Sequence, residues 1–204
     1  LVLPIHVEAV TSIVGRAELL WSLFGLLVIL LWLDSKYFLS AITLFLALLS
    51  KETAVTIPAI VFLFNWHHRR SWQWLIYYLG AIGFYFGMRI AVLGEYAFKT
   101  KVEFVFNPLA YVSFPERFFT ALKILVLYLA KIFVPYRLSA DYSYDQISIV
   151  TNLFSSPLAL VGLVFLFLML WVGYRILWRK KHSVLDWLLI FFFIPFLVVS
   201  NIFF

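Results

Sequence analysis

Apolar residues run along this chain in long blocks separated by short polar breaks. Seven blocks stand out, at roughly Ala17–Leu33, Tyr37–Leu49, Thr53–Trp66, Trp72–Leu93, Phe118–Val134, Pro157–Trp178 and Leu185–Phe204. Runs such as Leu26-Leu27-Val28-Ile29-Leu30-Leu31 do not alternate with polar residues. A membrane β-barrel requires that alternation, so the blocks predict helices. Gln146 to Tyr174 and Trp187 to Phe204 contain no Asp, Glu, Lys, Arg or His. A helix needs roughly 20 mostly apolar residues to cross the hydrocarbon core. The pattern therefore predicts an all-α, polytopic transmembrane helical bundle.

Two blocks are short for full spans, Tyr37–Leu49 and Thr53–Trp66, and Lys51-Glu52 separates them. Either they cross a thin region with little tilt, or they form a hairpin whose tip reaches into protein or a cavity. Two loops are strongly basic, His67-His68-Arg69-Arg70 and Arg179-Lys180-Lys181-His182. The positive-inside rule puts both on the cytoplasmic side. Three blocks lie between them, and three full crossings would put the loops on opposite sides. The lysine-bearing block Phe118–Val134 is the favoured exception. Glu116, Thr120, Lys123 and Lys131 fall within a sector of about 80° on a helical wheel. That block is expected to lie at the interface or re-enter; otherwise it spans, lines a polar cavity, and one basic loop faces outward. Pairs such as Asn107-Pro108, Phe114-Pro115 and Ser156-Pro157 predict breaks between helices.

Composition agrees with this pattern. Apolar residues make up 65% of the chain and charged residues 13%, against about a quarter charged in a soluble domain. The formal charge of +6 belongs with cytoplasmic loops in such a protein, so no nucleic-acid partner is expected. There is no cysteine, which excludes a disulfide framework and a thiolate metal site. The sequence opens on Leu-Val-Leu-Pro without a Met and ends within apolar residues. It is read as an internal piece of a longer chain, with residues 1–204 forming part of one membrane domain.

Residues that could carry chemistry are few. From Pro4 onward, Glu8, Thr11, Ser12, Gly15, Arg16 and Glu18 fall on one face at helical spacing, and the segment becomes wholly apolar after Glu18. A helix entering the membrane from a polar cavity fits this pattern, and so does a solvated helix start with Glu–Arg pairs. Lys51-Glu52 reads either as charge held at depth for function or as an interfacial turn. Arg89 and the Glu116-Arg117 pair read as ligand contacts or as interfacial anchors. The tyrosine-rich segment from Pro135 to Asp145 suits sugar stacking, or an aromatic belt. The loop residues His67, His68 and His182 suit headgroups. His6 and Glu8 alone do not make a metal site, and none is expected. No phosphate-binding glycine loop and no Gly-x-Ser-x-Gly motif occurs.

Several of these pieces match one family. Pro4-Ile5-His6-Val7-Glu8-Ala9-Val10, followed by Val14-Gly15-Arg16-Ala17-Glu18-Leu19-Leu20, resembles the membrane domain of the transmembrane O-mannosyltransferases with tetratricopeptide repeats. Lys51-Glu52, Asn107-Pro108, Arg117-Phe118 with Thr120, Pro135 through Ser143, and Ser200 through Phe204 follow in that family's order. The resemblance implies a GT-C glycosyltransferase fold. It implies transfer of a sugar, usually mannose, from a polyprenyl- or dolichyl-phosphate donor to Ser or Thr hydroxyls of a secreted protein, outside the cytoplasm. It also implies a catalytic acidic pair upstream of Leu1 and repeats downstream of Phe204. No cofactor is implied. Within the sequence, His6, Arg16, Glu18, Lys51, Glu52, Arg89, Arg117 and Tyr142 are then candidates for binding substrate. Of these, Arg16, Lys51, Arg89 and Arg117 suit the phosphate. Glu8 and Asp141 are candidate auxiliary acids or sugar-hydroxyl ligands. The expected location is a prokaryotic plasma membrane, with the endoplasmic reticulum as the alternative. A transporter or lipid flippase, in which intramembrane charge also marks a pathway, is the competing reading, and a scaffold without an active site is a third.

Overall fold

The computed structural model describes residues 10–13, 15–98, 104, 107–136, 146–178, 183–200 and 202. Every regular element among them is helical: α1 (Arg16–Leu33), α2 (Tyr37–Ser50), α3 (Ile57–His68), α4 (Gln73–Leu93), α5 (Phe114–Phe133), α6 (Pro157–Trp178) and α7 (Val184–Val199), with short 3-10 turns between some of them. Three stretches are long and apolar enough to cross a membrane: Arg16–Leu33, Gln73–Ala97 and Pro157–Trp178. The protein is an all-α membrane protein. It divides into two compact units, one built on α1 to α4 with the end of α6, the other on α5, most of α6, and α7.

In the first unit α2 packs against α1 and α4, and α3 packs against α1. Small residues make the α2 contacts close, as lipid-embedded helices require. Ser40, Ala41 and Ala47 of α2 are buried with Leu44 and Leu48. The Ser40 hydroxyl lies 2.7 Å from the Val28 carbonyl of α1 and 2.6 Å from the Tyr78 hydroxyl of α4, so one small polar side chain ties three helices. Val28, Trp32, Ile57, Ile60, Val61 and Trp74 complete this core. Outward-facing Leu23, Leu26 and Leu30 of α1, with Ile76, Leu79 and Phe84 of α4, leave apolar surface exposed.

α1 ends in a Schellman turn. Lys36 N–H donates to the Leu31 carbonyl and Ser35 N–H to that of Trp32, both at 2.9 Å, with Ser35 at φ 60° in a place glycine usually takes. Arg70, just beyond α3, donates to the Leu33 carbonyl and sits 5.1 Å from the centre of the Trp32 ring. The end of α1, the start of α2 and the end of α3 therefore meet at one pole. Lys36 and the His67–Arg70 run lie there. The short blocks on either side of Lys51-Glu52 are joined by a 3-10 turn, Glu52–Thr56, at the other end of α2.

The expected continuous amphipathic helix from Pro4 through Glu18 is interrupted. Ser12 lies in a bend and Ile13 and Gly15 in a turn, and α1 opens only at Arg16 with Gly15 as N-cap. Ser12, the β-branched Thr11 and Ile13, and Gly15 weaken helix there. Thr11 and Glu18 thus belong to different elements. His6 and Glu8 lie outside the described residues.

In the second unit α5 starts earlier than its apolar pattern suggests. Ser113 and Glu116 form a capping box, and Pro115 sits inside the first turn, where its missing N–H costs nothing. Phe114-Pro115 therefore opens a helix where the sequence predicted a break. Gly162 of α6 approaches α5 so closely that a Cβ there would stand 2.2 Å from the Leu122 carbonyl oxygen. Arg175 near the end of α6 pairs with the buried Asp186 of α7 at 3.3 Å. The helix α7 continues through Pro195.

Candidate functional site

Lys51 and Glu52 form the turn between α2 and the 3-10 segment. Lys51 takes extended backbone, φ −158° and ψ 137°, and this ends α2 and turns the two adjacent side chains apart. One reaches α1 and the other α4. Lys51 Nζ donates to a carboxylate oxygen of Glu18, in the first turn of α1. The second oxygen of Glu18 accepts from the indole N–H of Trp21 at 2.8 Å. Glu52 accepts from Arg89 Nη1 at 2.7 Å. Arg89 is held further by Nε donating to the Ala97 carbonyl at 2.8 Å and by Nη1 lying 3.0 Å from the Tyr85 hydroxyl. Two opposite-charge pairs built on neighbouring residues thus join three helices at one pole of the first unit.

This pole lies opposite the basic one. Glu18 begins α1, whereas Arg70 caps its end. Lys51 follows the last residue of α2, whereas Lys36 precedes its first. With about 1.5 Å of rise per residue, α1 is about 27 Å long, close to the roughly 30 Å of a hydrocarbon core. The two poles are therefore separated by about one bilayer thickness.

The pairs differ in how firmly each partner is held. Arg89 is 23% exposed and anchored by three groups, whereas Glu52 is 66% exposed. The bond from Arg89, with one from its own backbone, holds the Glu52 carboxyl below its usual pKa. Glu18 is the reverse case: Trp21 fastens it, and Lys51 reaches it across the turn. The Thr53 hydroxyl beside this cluster is buried without a hydrogen-bond partner.

Of the predicted site residues, Glu18, Lys51, Glu52 and Arg89 come together. Arg16 opens α1 exposed, with no ion pair among the described residues. Arg117 belongs to the other unit. It lies 5.9 Å from the centre of the Phe114 ring, and its buried Nε has no hydrogen-bond partner. His6, Glu8, Asp141 and Tyr142 fall outside the described residues. Around α5, the sector of Glu116, Thr120 and Lys123 is partly covered by the chain itself: Val150 N–H donates to the Thr120 hydroxyl at 2.9 Å, and Lys123 Nζ donates to the Ser148 carbonyl at 3.0 Å. Glu116, in the capping box, is held below its usual pKa by the Ser113 hydroxyl and N–H. Among the described residues no group of three or more His, Asp or Glu could hold a metal.

Trp21, Tyr85 and the Ala97 carbonyl were not singled out from sequence. A signal for the first two existed. Trp21 stands three residues after Glu18, and Tyr85 four before Arg89, spacings that share a helix face. The Ala97 carbonyl is presented by the 3-10 turn Gly94–Ala97, entered at Gly94 with φ 54°.

The chain is 32% identical to a protein O-mannosyl-transferase of Caenorhabditis elegans over 98% of its own length. It spans 29% of the length of that relative. The similarity supports an O-mannosyltransferase-like family for this chain. No family model and no solved structure matches it.

Proposed function

We propose that this chain is part of the membrane domain of a GT-C-type glycosyltransferase. It would move mannose from a polyprenyl- or dolichyl-phosphate donor to Ser or Thr hydroxyls of secreted proteins. The observation that carries the reading is the joining of Glu18, Lys51, Glu52 and Arg89 at the pole opposite the basic loop. By the positive-inside rule the pole with Lys36, Arg69 and Arg70 faces the cytoplasm, so the charged cluster faces the extracytoplasmic side. A lipid-linked sugar presents its phosphate at such an edge while its chain stays among apolar helices. The exposed apolar faces of α1 and α4 suit that chain. Arg89, with its planar fork, and Lys51 suit the phosphate, which gains negative charge as the glycosidic bond breaks. The cluster also argues against a scaffold, because Glu18, though partly exposed, is engaged by Lys51 and Trp21.

The test is sugar transfer by the purified full-length protein in lipid nanodiscs, from a polyprenyl-phosphate mannose to a Ser/Thr peptide. Mannosylated peptide is expected. Absence of transfer from every lipid-linked sugar offered would overturn the reading, and movement of the lipid-linked sugar across the bilayer without transfer would favour a flippase.

A further inference from the structure

Both cations of the proposed phosphate site already hold an anion, and that anion belongs to the chain. Carboxylate and phosphate oxygens are recognised by the same donors, so they compete for them. The two carboxylates are not equally replaceable. Trp21 fastens Glu18 at the oxygen Lys51 does not use. Glu52 has no such side-chain tether among the described residues: it bonds Arg89 and its own backbone, with the Lys51 charge acting on it from the next residue. Arg89 would keep its place without Glu52, since the Ala97 carbonyl and the Tyr85 hydroxyl hold it independently. An ion pair with one largely exposed partner contributes little, so exchanging it costs little.

We propose that Glu52 is an exchangeable internal ligand of Arg89: a lipid phosphate binds by displacing the Glu52 carboxylate, while Glu18 stays on Lys51. Glu52 is thereby a specificity residue. It excludes weak monovalent anions from Arg89 and yields to the lipid phosphate monoester that sugar transfer leaves behind, which brings more charge and more acceptor oxygens than a carboxylate. The inference rests on the phosphate reading given above.

The experiment is equilibrium binding of farnesyl phosphate to the protein in nanodiscs. It compares wild type with Glu52→Gln, Glu52→Asp, Arg89→Gln and, as a charge control at the opposite pole, Asp34→Asn. Glu52→Gln is expected to tighten binding about fivefold, the equivalent of one exposed ion pair. Glu52→Asp, whose shorter side chain reaches Arg89 less well, should tighten it by a smaller factor. Asp34→Asn should leave it unchanged, and Arg89→Gln should weaken it. Loss of binding in Arg89→Gln without tightening in either Glu52 variant overturns the exchange and leaves the phosphate site standing. Equal tightening by Asp34→Asn also overturns it, since net charge alone would then explain the effect. Equal binding by Arg89→Gln and wild type removes the phosphate site itself.

Discussion

At the scale of single residues, the arrangement turns on Lys51 and Glu52, which point to different helices because Lys51 is extended. The sequence marked both residues and Arg89 by the cost of charge near lipid. It did not reveal that each cation has its own acid, because 33 residues separate Glu18 from Lys51 and 37 separate Glu52 from Arg89. Arg16, in the same first turn of α1 as Glu18, was an equally good candidate from the sequence. The structure leaves it exposed, because contact with the α2 turn depends on packing that spacing does not encode. The Glu52–Arg89 pair gives a signed pH dependence. Its carboxyl titrates below its usual value in the folded protein, so the contribution to stability is present above the unfolded pKa and is lost as pH falls through the folded one. Thermal unfolding of wild type and Arg89→Gln, followed from about pH 6 to about pH 3, should show a gap that closes at the acid end. A gap that stays constant would mean that Arg89 stabilises through Ala97 and Tyr85 alone.

The helices themselves were legible, because each apolar block runs on without alternation, and all seven appear as helices. Their ends were less so. α5 begins at Phe114 because Ser113 and Glu116 satisfy its first N–H groups, and a proline after Phe114 looked like a break when it was part of a helix start. Ser113→Ala should therefore cost about 1 kcal/mol and increase hydrogen exchange in the first turn of α5. Undiminished protection there would remove the cap from the account. Two glycines make a paired prediction. A Cβ at Gly162 would strike the Leu122 carbonyl, so Gly162→Ala should lower the unfolding temperature. A Cβ at Gly83 of α4 meets nothing within 4 Å, so Gly83→Ala should be neutral or stabilising by up to about 1 kcal/mol, the difference in helix propensity. A destabilising Gly83→Ala would mean that another surface packs on that face.

At the scale of the whole molecule, the proposed orientation rests on the charge pattern of the first unit. Basic residues gather at one pole and the paired charges at the other, because α1 to α4 run alternately up and down. The poles of this unit follow from α1, α2, α3 and α4 alone and do not depend on how α5 and α6 run between the two basic loops. Because the chain has no cysteine, single cysteines at Arg69 and at Val55 can report sidedness directly. A membrane-impermeant maleimide added outside intact cells should label Val55→Cys, exposed in the turn beside the cluster, and spare Arg69→Cys, and the opposite result would invert the proposed orientation. The composition, spans and family likeness were open to the sequence, whereas the joining of two ion pairs at one pole required the fold. The most direct measurement is the donor dependence of mannosyl transfer by wild type and Arg89→Gln. If Arg89 holds the donor phosphate, its loss raises the donor KM about tenfold or more and leaves the peptide KM unchanged; an unchanged donor KM with unchanged kcat would contradict the account.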